Sequence, residues 1–122
     1  MPITTTTKEM PSMSSKVVVI IASGEKGVVQ TALMYAKNTL NSRWLDDVKT
    51  ILFGPSEQLV AQDSELAEQI KELCATGDGY ACKFISDNEG TSDTLSKLGL
   101  QVEYVGTIIA NLIKDGYVPM VW

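Results

Sequence analysis

A thiol that does chemistry needs neighbours that favour its anion, and the stretch Gly79–Gly90, GYACKFISDNEG, has residues suited to that. Tyr80–Ile85 reads as a short buried strand carrying Cys82, and Ser86-Asp87-Asn88-Glu89 has the spacing of a capping box. In that motif a Ser hydroxyl and a Glu carboxylate satisfy free amides of the first helical turn. Cys82 then lies below a helix N-terminus, where unpaired N–H groups and the helix dipole favour an anion. Only the thiolate is a nucleophile, and such a setting lowers a thiol pKa. The competing reading is that Cys82 is a small buried hydrophobe, as most free cysteines are. Lys83 alternates to the opposite face of an extended strand, so it does not automatically assist the thiol. It marks the end of the buried part of the strand or meets another subunit.

Much other chemistry is excluded by composition. The 122 residues include two cysteines and no histidine. A histidine-based triad or Cys–His pair therefore cannot form within one chain. Cys74 and Cys82 supply only two ligands toward a zinc site, so no metal is expected. A net charge of −5 and a pI of about 4.6 argue against nucleic-acid binding or a basic membrane patch. No apolar run reaches the ~18 residues of a membrane span. Cys74, near the end of a helix stripe, reads as core packing, too far from Cys82 for a disulfide.

The elements that must position Cys82 alternate along the chain. Residues Met1–Ser15, polar and Thr/Ser-rich with two prolines, read as a disordered tail without the apolar segment of a signal peptide. With no export signal the expected compartment is the cytoplasm, where thiols stay reduced. KVVVIIA (Lys16–Ala22) is a β-branched run without polar alternation, as in a strand covered on both faces. A helix follows over 27–41, with Val29, Ala32, Leu33, Ala36 and Leu40 as its apolar stripe. Asp47–Gly54 is a second strand and Ser56–Ala75 a second helix, with Leu59, Leu66, Ile70 and Leu73 on one side. The third strand leads into a helix over Ser86–Leu98 with Gly99 as its cap. Val102–Val105 is a fourth strand, Gly106-Thr107 opens a helix closed by Gly116, and YVPMVW ends the chain. Pro119 cannot donate to a ladder, which places this fifth strand at an edge. The alternation predicts a single α/β domain over 16–122, with a five-stranded, mostly parallel sheet and helices on both faces, a flavodoxin-like three-layer sandwich.

In such sheets ligands bind beyond the carboxyl ends of the strands. That edge gathers Ser23 and Gly24, Gly54, Ser86 and Asp87, and Gly106 and Thr107, the residue types of a small-anion pocket and equally of ordinary tight turns. Neither GxxxxGK[ST] nor GxGxxG is present, so a bound nucleotide or flavin cofactor has no motif behind it. The apolar C-terminus, MVW, suggests a core Trp or a subunit contact.

With these residues in place, the chain resembles the DsrE/DsrF-like family, small α/β proteins associated with sulfur relay. The likeness runs from KVVVIIASGEKG through YACKFISDNEGTSDTLSKLGLQVEYVG to the last strand. It implies assembly into symmetric homo-oligomers, often trimers or hexamers, and a persulfide carried on the cysteine that Cys82 matches. Sulfur donor and acceptor proteins would be the partners, and no cofactor is implied. The alternative expectation is an oligomeric binding module that uses the same strand-end pocket for a small anion or nucleotide, with Cys82 structural.

Overall fold

A computed structural model describes residues 15–122; the reading of a disordered tail falls on residues outside that range, apart from Ser15. That residue is tied to Asp46, donating its amide to Oδ2 at 2.9 Å and accepting the Asp46 amide in return.

The β-branched run of Lys16–Ile21 forms β1, buried from Val17 onward. β2 is Asp47–Leu52, β3 Asp78–Cys82, β4 Gln101–Glu103 and β5 Val118–Val121. They make one sheet in the order β4-β3-β2-β1-β5, and every pairing is parallel. β1, the most apolar strand, lies inside, and β5 with Pro119 lies at an edge as its missing donor requires.

The helices among the described residues are α1 (Lys26–Ser42), α2 (Ser56–Gln62), α3 (Ser64–Thr76), α4 (Lys83–Glu89), α5 (Ser92–Lys97) and α6 (Val105–Lys114). Strand alternation splits the core in two. Val17, Val19 and Ile21, with Val48, Leu52 and Ala81, pack under Val29, Ala32, Leu33 and Ala36 of α1 and Leu66, Ile70 and Leu73 of α3. On the opposite face Val18, Ile20, Ile51 and Cys82 meet Val105, Ile108, Ile109 and Leu112 of α6. Both faces are therefore covered, the first by an extensive helical layer and the second by α6.

Three elements differ most from the sequence reading, each for a local reason; a fourth, the strand expected over Val102–Val105, is Gln101–Glu103, with Val105 already in α6. The expected helix over Ser56–Ala75 is two helices, because Asp63 is extended and caps the second. Its Oδ1 accepts the Glu65 and Leu66 amides at 3.0 Å each. The expected strand over Tyr80–Ile85 stops at Cys82, and Lys83 is already helical. Lys83 reaches one turn along α4 to Asp87 at 2.6 Å and lies 5.8 Å from the centre of the Tyr104 ring. That i,i+4 pair supports a helix and supplies the partner that a lysine in a buried strand would lack. The expected single helix over Ser86–Leu98 is broken at Gly90, whose φ of +73° ends α4 in the left-handed region. Ser86 thus lies inside α4, and the residue at the helix start is Cys82 itself. The capping box is not formed.

Candidate functional site around Cys82 and Glu57

The carboxyl ends of β1, β2 and β5 are joined by backbone and side-chain bonds that fix this edge of the sheet. The Ser56 hydroxyl donates to the Ile21 carbonyl at 2.6 Å, and the Ser56 amide donates to the Ala22 carbonyl. Gly54 passes so close to Ala22 that a Cβ there would lie 2.9 Å from its carbonyl oxygen, and one on Gly24 would meet Pro55 at 3.1 Å. Ala22 and Ser23 in turn donate their amides to the Trp122 carbonyl. Trp122 packs half-buried against the core, its ring 6.3 Å from that of Tyr35. The turns bearing Ser23, Gly24 and Gly54 thus converge.

Cys82 ends β3 in an extended conformation and opens α4. Its side chain joins the α6 face beside Val105 and is 6% exposed. Parallel register places Cys82 opposite Glu103, and α6 begins two residues later at Val105. No side chain caps the first turn of α6, and no acidic residue lies within it. Gly106 and Thr107 belong to that turn and are exposed. The cysteine therefore lies at the start of one helix and next to the start of another, where free amides favour an anion.

Ser86 and Asp87 are drawn into a network of their own. The Ser86 and Ser92 hydroxyls are 2.6 Å apart, and Ser92 donates to Asp87 at 2.5 Å. The bond from Lys83, then that from Ser92, holds the Asp87 carboxyl below the usual range. The cavity of about 260 Å³ lined by these residues carries two carboxylates, Asp87 and Asp93. Its chemistry is not that of the expected anion pocket. A larger cavity of about 530 Å³, lined by Leu33, Lys37, Glu65 and Glu72 among others, lies between α1 and α3, away from Cys82.

Cys74 is half-buried against the first core, and desolvation pushes its thiol up to about 11. A Cβ on Gly79 would lie 2.8 Å from its sulfur, so Cys74 packs in a space kept free by glycine. Both cysteines are free thiols.

Sequence reasoning missed Glu57, which is 0% exposed in the first turn of α2. One carboxyl oxygen accepts the Gly54 amide at 3.3 Å, and Oε1 has no hydrogen-bond partner. Burial pushes its pKa up to about 8; the Gly54 amide opposes this, the nearby Glu89 adds to it, and the Cys82 amide again opposes it. An acidic residue in a first helical turn attracts no notice, being favoured there by the dipole. The available signal was its i,i+3 spacing to buried Val60, which puts Glu57 on the core side of α2.

The fold and this edge define an all-parallel α/β domain with a cysteine and a buried carboxyl at the strand ends. No family model and no curated protein matches the chain. A solved structure of a conserved protein of unknown function from Bacteroides thetaiotaomicron is similar to it. The two are 27% identical with a TM-score of 0.82, over 88% of this chain and 95% of the other.

Proposed function

We propose that this protein is a cytoplasmic sulfur carrier that accepts sulfane sulfur as a persulfide on Cys82. The observation behind this reading is the place of Cys82, at the start of α4 and beside the uncapped first turn of α6. A Cys82 thiolate attacks the outer sulfur of a donor persulfide, a new S–S bond forms, and the donor leaves as its thiolate. Neither metal nor organic cofactor takes part in that exchange. The near-complete cover over the sulfur shields a persulfide from water and stray thiols. Among the described residues no helix is long and apolar enough to cross a membrane.

The decisive test is intact mass after exposure to a small persulfide donor. Wild type and Cys74→Ser should each gain one reductant-labile sulfur, and Cys82→Ser none while remaining folded. Loading retained in Cys82→Ser would end the assignment. The apolar packing of Cys82 favours one competing reading, a binding module in which the thiol is structural. In that case neither protein gains sulfur and Cys82 alkylates only as fast as the domain opens.

The same reading includes self-assembly into a trimer or hexamer. Phe84, Tyr104 and Phe53 are 64%, 62% and 39% exposed and follow the ends of β3, β4 and β2 around Cys82. Aromatic side chains clustered on a surface are the usual anchors of protein contacts. Native mass spectrometry should give a threefold or sixfold multiple of the 13.3 kDa chain, and Phe84→Asp should shift it toward monomer. A monomer at micromolar concentration would remove this part of the proposal.

A further inference from the structure

Residue spacing on α1 and α3 decides which side chains face the cavity of about 530 Å³ between them. On α3, Glu65, Glu68, Gln69 and Glu72 follow the i, i+3, i+4, i+7 pattern of one helical face, while Leu66, Ile70 and Leu73 belong to the core. On α1, Leu33 and Met34 supply an apolar floor, and Lys37 lies one turn on from Leu33. Leu33 is itself part of the core, whereas Met34 is 58% exposed.

Two sets of ion pairs tie the helices together across this groove. Lys26 Nζ lies 2.8 Å from Glu65 and 3.0 Å from Asp63, and Lys37 Nζ lies 2.8 Å from Glu72. Glu65 and Glu72 are two turns apart, about 10 Å along α3. Glu68 lies between them and makes no ion pair among the described residues. Beside it, Gln69 lines the cavity and its Oε1 is buried without a hydrogen-bond partner. A buried acceptor without a donor is costly, and this one borders a space of ligand size. The charge is one-sided as well. The carboxylates of Asp63, Glu65, Glu68 and Glu72 outnumber the ammonium groups of Lys26 and Lys37 by two.

We propose that this groove binds a small organic dication, a diamine or amino-guanidine with an apolar stem. The stem covers Leu33 and Met34, an N–H donates to the Gln69 Oε1, and the charged ends meet Glu68 and the flanking carboxylates. Complementary charge draws such a ligand in and turns anions away. The groove lies over the α1 and α3 layer, on the other face of the sheet from the cluster that holds Cys82. It is therefore a second site, independent of the sulfur-carrier reading.

The test is NMR titration of the nitrogen-15-labelled full chain with agmatine, whose amino and guanidino groups are joined by a short aliphatic chain. At near-physiological salt, saturating amide shifts confined to the facing parts of α1 and α3 are expected, with a Kd below about 1 mM. Glu68→Gln and Gln69→Met should each weaken binding about tenfold. Gln69→Met should also leave the urea midpoint unchanged or raised, because it removes an unpartnered buried acceptor at similar volume. A Gln69 that served packing alone would show a lowered midpoint and unchanged affinity. Glutarate, a dianion of similar length, should give no saturating shift. Shifts spread over the acidic surface and lost at high salt, or equal affinity in wild type and both variants, would overturn the site. Binding of a lysine-rich peptide but not of agmatine would overturn it in favour of a protein partner. None of these changes touches Cys82, so agmatine binding and sulfur loading stand or fall separately.

Discussion

The stability of the folded chain should fall as pH rises from about 5 to about 8, by on the order of 3 kcal/mol, and then level off. Glu57 is the cause. Its carboxyl titrates near 4.5 when unfolded and is pushed up to about 8 by burial in the native protein. Between those values the unfolded chain has lost the proton and the folded one keeps it. Folding then binds a proton, and each pH unit upward costs stability. The contribution is whole below 4.5 and gone once the pH has passed the folded value. Lowered carboxyls act with the opposite sign, but in a lower window. Asp63, held by the Leu66 amide and Lys26, and Asp87, held by Lys83, lose their contributions only as pH falls through the acid range. Urea unfolding at half-unit pH steps should therefore show a maximum near pH 4 to 5. Glu57→Gln should be nearly flat from 5 to 8. A wild-type profile without the decline, or the same decline in the variant, would remove Glu57 as its source.

The second large effect is expected at Gly54. Its φ of +142° is a conformation that side chains rarely adopt, and an added Cβ would lie 2.9 Å from the Ala22 carbonyl oxygen. The obstacle is backbone and cannot swing aside. Gly54→Ala should cost about 2–4 kcal/mol, read as a lower urea midpoint with unchanged m-value. The loss should reach the site, because the Gly54 amide holds the Glu57 carboxyl and the Gly54 carbonyl accepts the Glu57 amide. Gly27→Ala is the matching control. Nothing lies within 4 Å of its added Cβ, and the position is in the first turn of α1. That change should be neutral or stabilising by up to about 1 kcal/mol. A Gly54→Ala midpoint equal to that of Gly27→Ala would show that the β1 and β2 turns can separate at no cost.

The elements that could be read from sequence were those fixed by long, one-sided patterns. The run KVVVIIA has no polar alternation and became a strand buried on both faces, and the stripe from Val29 to Ala36 became the buried face of α1. Pro119 announced an edge strand because it lacks a donor. Short apolar runs were ambiguous. YACKFI fits a strand by composition, and only the Lys83–Asp87 spacing and the coming left-handed Gly90 show that its second half is helical. Asp63 could have been recognised as a cap, since Ser64, Glu65 and an apolar stripe follow it. Cys82 was singled out through Ser86–Glu89, read as a capping box that does not form, because the helix already starts at Lys83. Glu57 was not, because its special character comes from burial against distant β3 and α4, not from the residues beside it.

The two outer strands have a consequence for growth of the sheet. A parallel sheet with free edges is a template for further strands from other molecules, the route to open-ended aggregation. β4 offers only three residues, Gln101–Glu103, two of them exposed and one acidic. β5 offers four, and Pro119 removes a donor from its ladder. Neither edge gives an incoming strand an uninterrupted row of partners. Copies of this chain that meet at high concentration therefore find no edge at which the sheet extends readily into a fibre.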